Sequence, residues 1–168
     1  MNARTPSSQD HTVEEFANSA SHKSALPRFG KLAPMYSFAL NPYDDARFSR
    51  CPNCGERTKL RKVPLFVHID PLIPMVINKT TRYCTACDLL IVHRDELEAV
   101  LCHLLPDRSP ETIRTHYLVL GTVDRKTYRA SVKTPVPISE LPAIVHDFKD
   151  VRQIHYDPGG WVRNDTEP

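Results

Sequence analysis

The chain has 168 residues and a mass of 19.1 kDa, with 40% hydrophobic, 25% charged and 8% aromatic residues, proportions that suit one soluble domain or little more. Glycine is scarce (5) and proline abundant (15), which excludes collagen-like and glycine-rich chains. No purely apolar run exceeds the four residues of Leu89 to Val92, against the ~20 needed to cross a bilayer. The expectation is therefore a cytoplasmic protein with no membrane partner, the start MNARTPSSQD having no apolar stretch behind Arg4 to make a secretory signal.

Net charge is +2, too small to name a partner, yet it is unevenly spread. Ala46 to Tyr83 holds eight Lys/Arg and two acids, while the remainder is net acidic with 14 basic and 18 acidic residues.

In chain order, residues 1–33 are polar with few apolar anchors and are expected to form a mobile tail, with a short helix over Thr12 to Ala20 as its only candidate element. Met35 to Phe48 is dense in aromatics and broken by Asn41-Pro42, so it reads as an extended lead-in and a turn. Thr58 to Ile69 and Pro74 to Tyr83 are rich in β-branched and aromatic residues around Asp70-Pro71, which predicts a β-hairpin, with Pro64 marking an edge or bulge. Leu89 to Val92 supplies a third, buried strand.

Arg94 to Leu105 carries Leu97, Val100, Leu101, Leu104 and Leu105 at helical spacing, stopped by Pro106, and Ser109-Pro110 opens a further helical turn. Beyond it, Tyr117 to Val123 and Tyr128 to Val132 read as paired strands joined through Asp124. Ser139 caps a helix whose face is Leu141, Ile144, Val145 and Phe148, and Val151 to Tyr156 reads as a last strand before a closing turn at Asp157 to Trp161. The expected class is α+β: a three-stranded antiparallel zinc ribbon followed by a helix and a small C-terminal α+β part, divided as 1–33, 34–105 and 106–168.

The chemistry sits in the cysteines. Cys51, Cys54, Cys84 and Cys87 form two CxxC pairs 29 residues apart, and the fifth, Cys102, adjoins the apolar stripe of the helix. Two residues between cysteines let a tight turn aim both sulfurs at one point, and two such turns complete a tetrahedral tetrathiolate zinc site. Such a site has no open position, so its expected contribution is folding energy, not catalysis. The CPNCG turn, with Pro52 and Gly55, resembles the knuckle of zinc-ribbon proteins, whereas the second, CTACD, has Thr85 and Asp88 at the corresponding places. The resemblance spans about residues 50–94. The longer runs NPYDDARFSRCPNCG, FVHIDPLIPMVINKTTRYC, CDLLIVHRDELE and YLVLGTVDRKTYR resemble a group of uncharacterised bacterial single-zinc-ribbon proteins, which implies no activity. Rubredoxins share the cysteine interval and hold iron, an alternative that spacing alone leaves open; the basic insert and the CTACD turn favour zinc over it.

Three functions compete. A binding or adaptor module for nucleic acid would use Lys59, Arg61, Lys79 and Arg82 on the hairpin against phosphates, although the same cations can simply offset the thiolate charge. A protein-assembly subunit would dock through exposed aromatics such as Tyr156 and Trp161. An enzyme would need His68 with Asp70, or His93, Asp95 and Asp124 gathered at a cleft, yet no recognised catalytic motif accompanies them.

Overall fold

The computed structural model describes residues 28–71 and 73–156, Ile73 by its backbone alone. Its longest elements are β2 (Lys59–Ile69) and β3 (Ile73–Cys84), antiparallel in full register from Lys59 opposite Tyr83 to Ile69 opposite Ile73. From Val63 to Ile69 only His68 escapes burial. Both faces of the hairpin are therefore covered, which is why this stretch reads as a continuous apolar run and not as a strict alternation.

Around the hairpin assemble β1 (Ser37–Asn41), β4 (Leu89–His93), β5 (Tyr117–Val123), β6 (Val145–Asp147) and β7 (Asp150–Arg152), giving one seven-stranded sheet in the order β6-β5-β2-β3-β4-β1-β7. β1 runs parallel to β4 and β7, and every other pairing is antiparallel. One face carries α1 (Arg94–Leu104) and α2 (Pro110–Thr115), whose Leu97, Leu101 and Ile113 pack on Val63, Leu65, Val67 and Ile69 of β2. On the other face Phe66, Val123, Leu141 and Val145 form a second core. Tyr128 of α3 (Arg125–Lys133) and Ile144, just beyond a 3₁₀ helix (Ile138–Ala143), pack against it. Glu98 of α1 is buried between Arg94 and Arg114 and receives the Tyr117 hydroxyl at 3.2 Å.

The α+β class holds, with corrections to its parts. The three antiparallel strands β2, β3 and β4 do not stand alone as a ribbon: β5 from beyond the helix pairs with β2, and β7 pairs with β1, so strands from both sides of Leu105 share the sheet. Tyr128 to Val132 is helix, not strand. Both edges of β5 are already taken by β2 and β6, which leaves that segment no place in the sheet. The helix expected after Ser139 is a short 3₁₀ turn that holds only Leu141 of the expected apolar face, while Val145 falls in β6 and Ile144 and Phe148 flank that strand. The last strand is shorter than expected, Asp150–Arg152. Pro64 sits one residue before β5 begins to pair at Leu65, so β2 is a free edge there and the missing N–H removes no ladder bond on that side.

The start of the described chain, residues 28–33, differs from the expected tail. Residues 1–27 and the candidate helix at 12–20 lie outside the described residues. By contrast, Phe29 stacks on Phe66 at 4.9 Å between centroids, the Gly30 amide donates to Asp147 Oδ1 at 2.9 Å, and Lys31 N donates to the Pro142 carbonyl at 2.7 Å. A Cβ on Gly30 would collide with the Val145 carbonyl, so only glycine lets the segment approach β6 this closely.

His93 ends β4 and precedes α1, buried, with the Asn41 side-chain amide donating to its Nδ1 at 2.9 Å. Burial pushes its pKa below the ordinary value. The unfolded chain therefore takes up the proton first, so this contribution to stability is full above about pH 6.5 and is lost as the pH falls from there through the lower folded value. Melting curves should show Tm falling between pH 7.5 and 5.5, above the range in which Asp95 and Asp150, both held below the usual carboxylate value, take up protons. A flat profile over that window would contradict the assignment.

Candidate metal centre and the surfaces around it

The first knuckle is built by backbone hydrogen bonds that close a tight loop: Cys51 N donates to Glu56 O at 2.8 Å and Gly55 N to Cys51 O at 2.9 Å. Gly55 has φ +76°, the left-handed conformation that a glycine after the second ligand supplies at little cost. The second knuckle lacks that glycine and reaches the same region with Asp88, φ 51°. Its carboxylate accepts from the Tyr83 hydroxyl at 2.8 Å and from Lys149 Nζ at 2.6 Å, which hold the strained residue in place. Asp88→Ala keeps the positive φ and loses both bonds. It should destabilise the protein by about 1–2 kcal/mol in denaturant unfolding, whereas Asp88→Gly, relieved of the strain, should cost less.

The two turns bring the ligand atoms of Cys51, Cys54, Cys84 and Cys87 within 4.8 Å of one another, and this cluster can hold a metal ion. Cys54 and Cys84 sulfurs are 3.5 Å apart, close to the roughly 3.8 Å edge of a tetrahedron with Zn–S bonds of about 2.3 Å. Cys51 and Cys84 are buried, Cys87 half-buried and Cys54 exposed.

Hydrogen-bond donors converge on the sulfurs. The amides of Asn53 and Cys54 face Cys51, that of Glu56 faces Cys54, and those of Cys87 and Ala86 face Cys84, while Asn53 Nδ2 lies 3.2 Å from Cys87 Sγ. Donors aimed at sulfur favour thiolate over thiol. Crowding works against all four ionising without a cation. At Cys54 the Glu56 amide pulls the thiol down, but the neighbouring Cys87, local desolvation and the other two sulfurs push it up to about 12. The guanidinium of Arg152, kept high first by Asp150, also interacts with Cys87 and Cys51.

This centre rests on a small core of Ala39, Leu89, Ile91 and Ile154, flanked by Tyr43 and Phe48. Tyr156 is half-buried beside it, 5.6 Å from Tyr43 and 6.0 Å from Phe48 between centroids. It is part of the fold, not the exposed docking aromatic expected; Trp161 lies outside the described residues. Cys102 is half-buried against the main core.

The cations expected on the hairpin do not form one patch. By register and alternation Lys59, Arg61 and Lys79 share one face and Arg82 the other. Lys79 is buried on the α1 side, its Nζ 2.6 Å from Glu96 Oε2, so it is withdrawn from any ligand. Arg61 is exposed, with its guanidinium over the rings of Tyr36 and Tyr83 at 5.3 and 4.8 Å. The candidate catalytic residues are likewise dispersed. His68 is half-buried opposite Pro74 and Leu118, Asp70 is an exposed turn residue, and Asp95 pairs with Arg47 at 2.9 Å. Asp124 pairs with His146 at 3.2 Å instead.

Sequence reasoning missed His146, whose other ring nitrogen lies 2.8 Å from the Ala33 carbonyl, and it missed α3 as a helix. The available signal for α3 was Asp124 as N-cap followed by Tyr128 and Val132 four residues apart. No protein-family model matches the chain, and no curated protein or solved structure matches it. Among the described residues no helix is long and apolar enough to cross a membrane.

Proposed function

We propose that Cys51, Cys54, Cys84 and Cys87 hold one zinc ion as a structural staple, in a cytoplasmic binding or adaptor module whose knuckles are of the zinc-ribbon kind. The observation that carries this is the donor set: four sulfurs within 4.8 Å of one another, with Asn53 Nδ2 at 3.2 Å from Cys87 Sγ and backbone amides facing the other three. All four positions of a tetrahedral ion are then taken by protein, which leaves none for water or substrate. Elemental analysis should give one zinc per chain, and a red protein containing iron would overturn the assignment.

As a module, the chain has a protein partner as its alternative to nucleic acid. That alternative draws support from an apolar groove of about 360 Å³ between α3 and the 3₁₀ helix, on whose walls Val132 and Ile138 are 67% and 70% exposed. The catalytic alternative draws least, since Asp124 is paired with His146 and His68 lies half-buried opposite Pro74 and Leu118.

A further inference from the structure

The strongest unexplained feature of the surface is α3. Its sequence, RKTYRASVK, holds four cations and no acid, and none of its residues is buried. At 100° per residue Arg125, Arg129, Lys133 and Lys126 fall within a single arc of about 100°, and all four are exposed. Among the described residues no carboxylate lies within ion-pair distance of any of them.

For helix stability this arrangement is wrong three times over. Arg125 with Arg129 and Arg129 with Lys133 are like charges at i,i+4. Arg125 and Lys126 occupy the first turn, where the helix dipole favours acids. A face charged only for solubility would mix the two signs. Local rules broken without an acidic partner among the described residues point to function.

Beside α3, at the free edge of β2, is a cleft of about 200 Å³ whose lining includes Arg61, Lys62 and Arg125. Arg125 is held there by bonds from Nε and Nη2 to the Lys62 carbonyl at 3.2 and 3.0 Å, and Arg61 is steadied by its two tyrosines. The one acid in the lining, Asp124, has its Oδ2 turned to His146.

We infer that α3 and this cleft bind the phosphodiester backbone of nucleic acid. The inference deepens the binding-module reading, on which it rests, and moves the contact away from the hairpin positions Lys79 and Arg82. Phosphates supply the negative charge that the helix lacks, and contact through the backbone makes binding independent of sequence.

The test measures binding of a labelled duplex and a labelled single strand of about 30 nucleotides across roughly 50 to 200 mM salt. Wild-type affinity should fall on the order of a thousandfold over that range for about six contacts. The variant Lys126→Glu/Arg129→Glu should lower the slope of log K against log salt by about 2 and abolish retardation at the upper salt. The same variant should keep its zinc and hold or raise its Tm, because it replaces repulsions along α3 with favourable pairs. Loss of binding together with a lower Tm would assign the cations a structural role and overturn the inference, as would wild-type protein that retards neither nucleic acid at low salt. Capture of an acidic protein without any nucleic-acid binding would also overturn it, yet would leave the binding-module reading standing. Retention of binding by the duplex alone or the single strand alone would support it and name which backbone is the ligand.

Discussion

With the proposed zinc held by the four cysteines, withdrawing it should loosen the two knuckles and leave the rest of the sheet standing. Structural zinc contributes about 10–16 kcal/mol at neutral pH in small sites, comparable with or larger than the whole stability of a typical domain, about 5–15 kcal/mol. Its reach here is local. Cys51 and Cys84 are packed among Ala39, Leu89, Ile91 and Ile154 in a core separate from the one formed by Leu65, Val67, Ile69, Leu97, Leu101 and Ile113. Chelation should therefore abolish hydrogen-exchange protection in both knuckles, and leave protected the β2, β3 and β5 ladder together with β1 and β4, whose Phe38, Leu90 and Val92 belong to the main core.

Serine substitutions separate the metal from the packing of thiols. Cys54 is exposed, so Cys54→Ser has no burial to lose and should destabilise the knuckles as much as Cys84→Ser only if both ligate one ion. Cys102→Ser should be nearly silent. If the buried pair Cys51 and Cys84 proved sensitive and Cys54 did not, the cluster would be a packing feature and the zinc assignment would fail.

The knuckles were legible because their information is local. CxxC spacing, the Pro52 and Gly55 turn and the Asp88 position each act within five residues, and the hairpin and α1 announce themselves by period. β1 was not legible as a strand inside the sheet. Parallel pairing with Leu89–His93, across about fifty residues, leaves no short-range trace in Ser37–Asn41. α3 was misread because Thr127, Tyr128 and Val132 favour strands, and only the occupied edges of β5 decide the matter. Lys79 was misread for a different reason. Alternation places residues on a common face without saying which face α1 will cover. A lysine in a basic run is taken to be solvated, but its carboxylate partner lies on a helix that begins ten residues beyond the strand.

That partnership yields an asymmetry that is large enough to measure. Lys79 Nζ lies 2.6 Å from Glu96 Oε2 and 3.3 Å from the Thr80 carbonyl, with its side chain only 10% exposed against 43% for Glu96. Glu96 has a second cation, Arg47, at 3.5 Å. Removing the acid strands an ammonium in the interior, while removing the lysine leaves a carboxylate that keeps Arg47 and water. Glu96→Ala should therefore cost about 2–3 kcal/mol, below the 3–5 of a fully buried pair because the lysine stem can extend toward solvent. Lys79→Met, which fills the same volume without a charge to desolvate, should stay within about 1 kcal/mol of the parent. Nucleic-acid retardation should be unchanged by Lys79→Met, since a lysine turned under α1 cannot reach a phosphate. Equal losses of stability from the two substitutions would show that Lys79 is solvated, and a loss of retardation with Lys79→Met would return the binding surface to the hairpin.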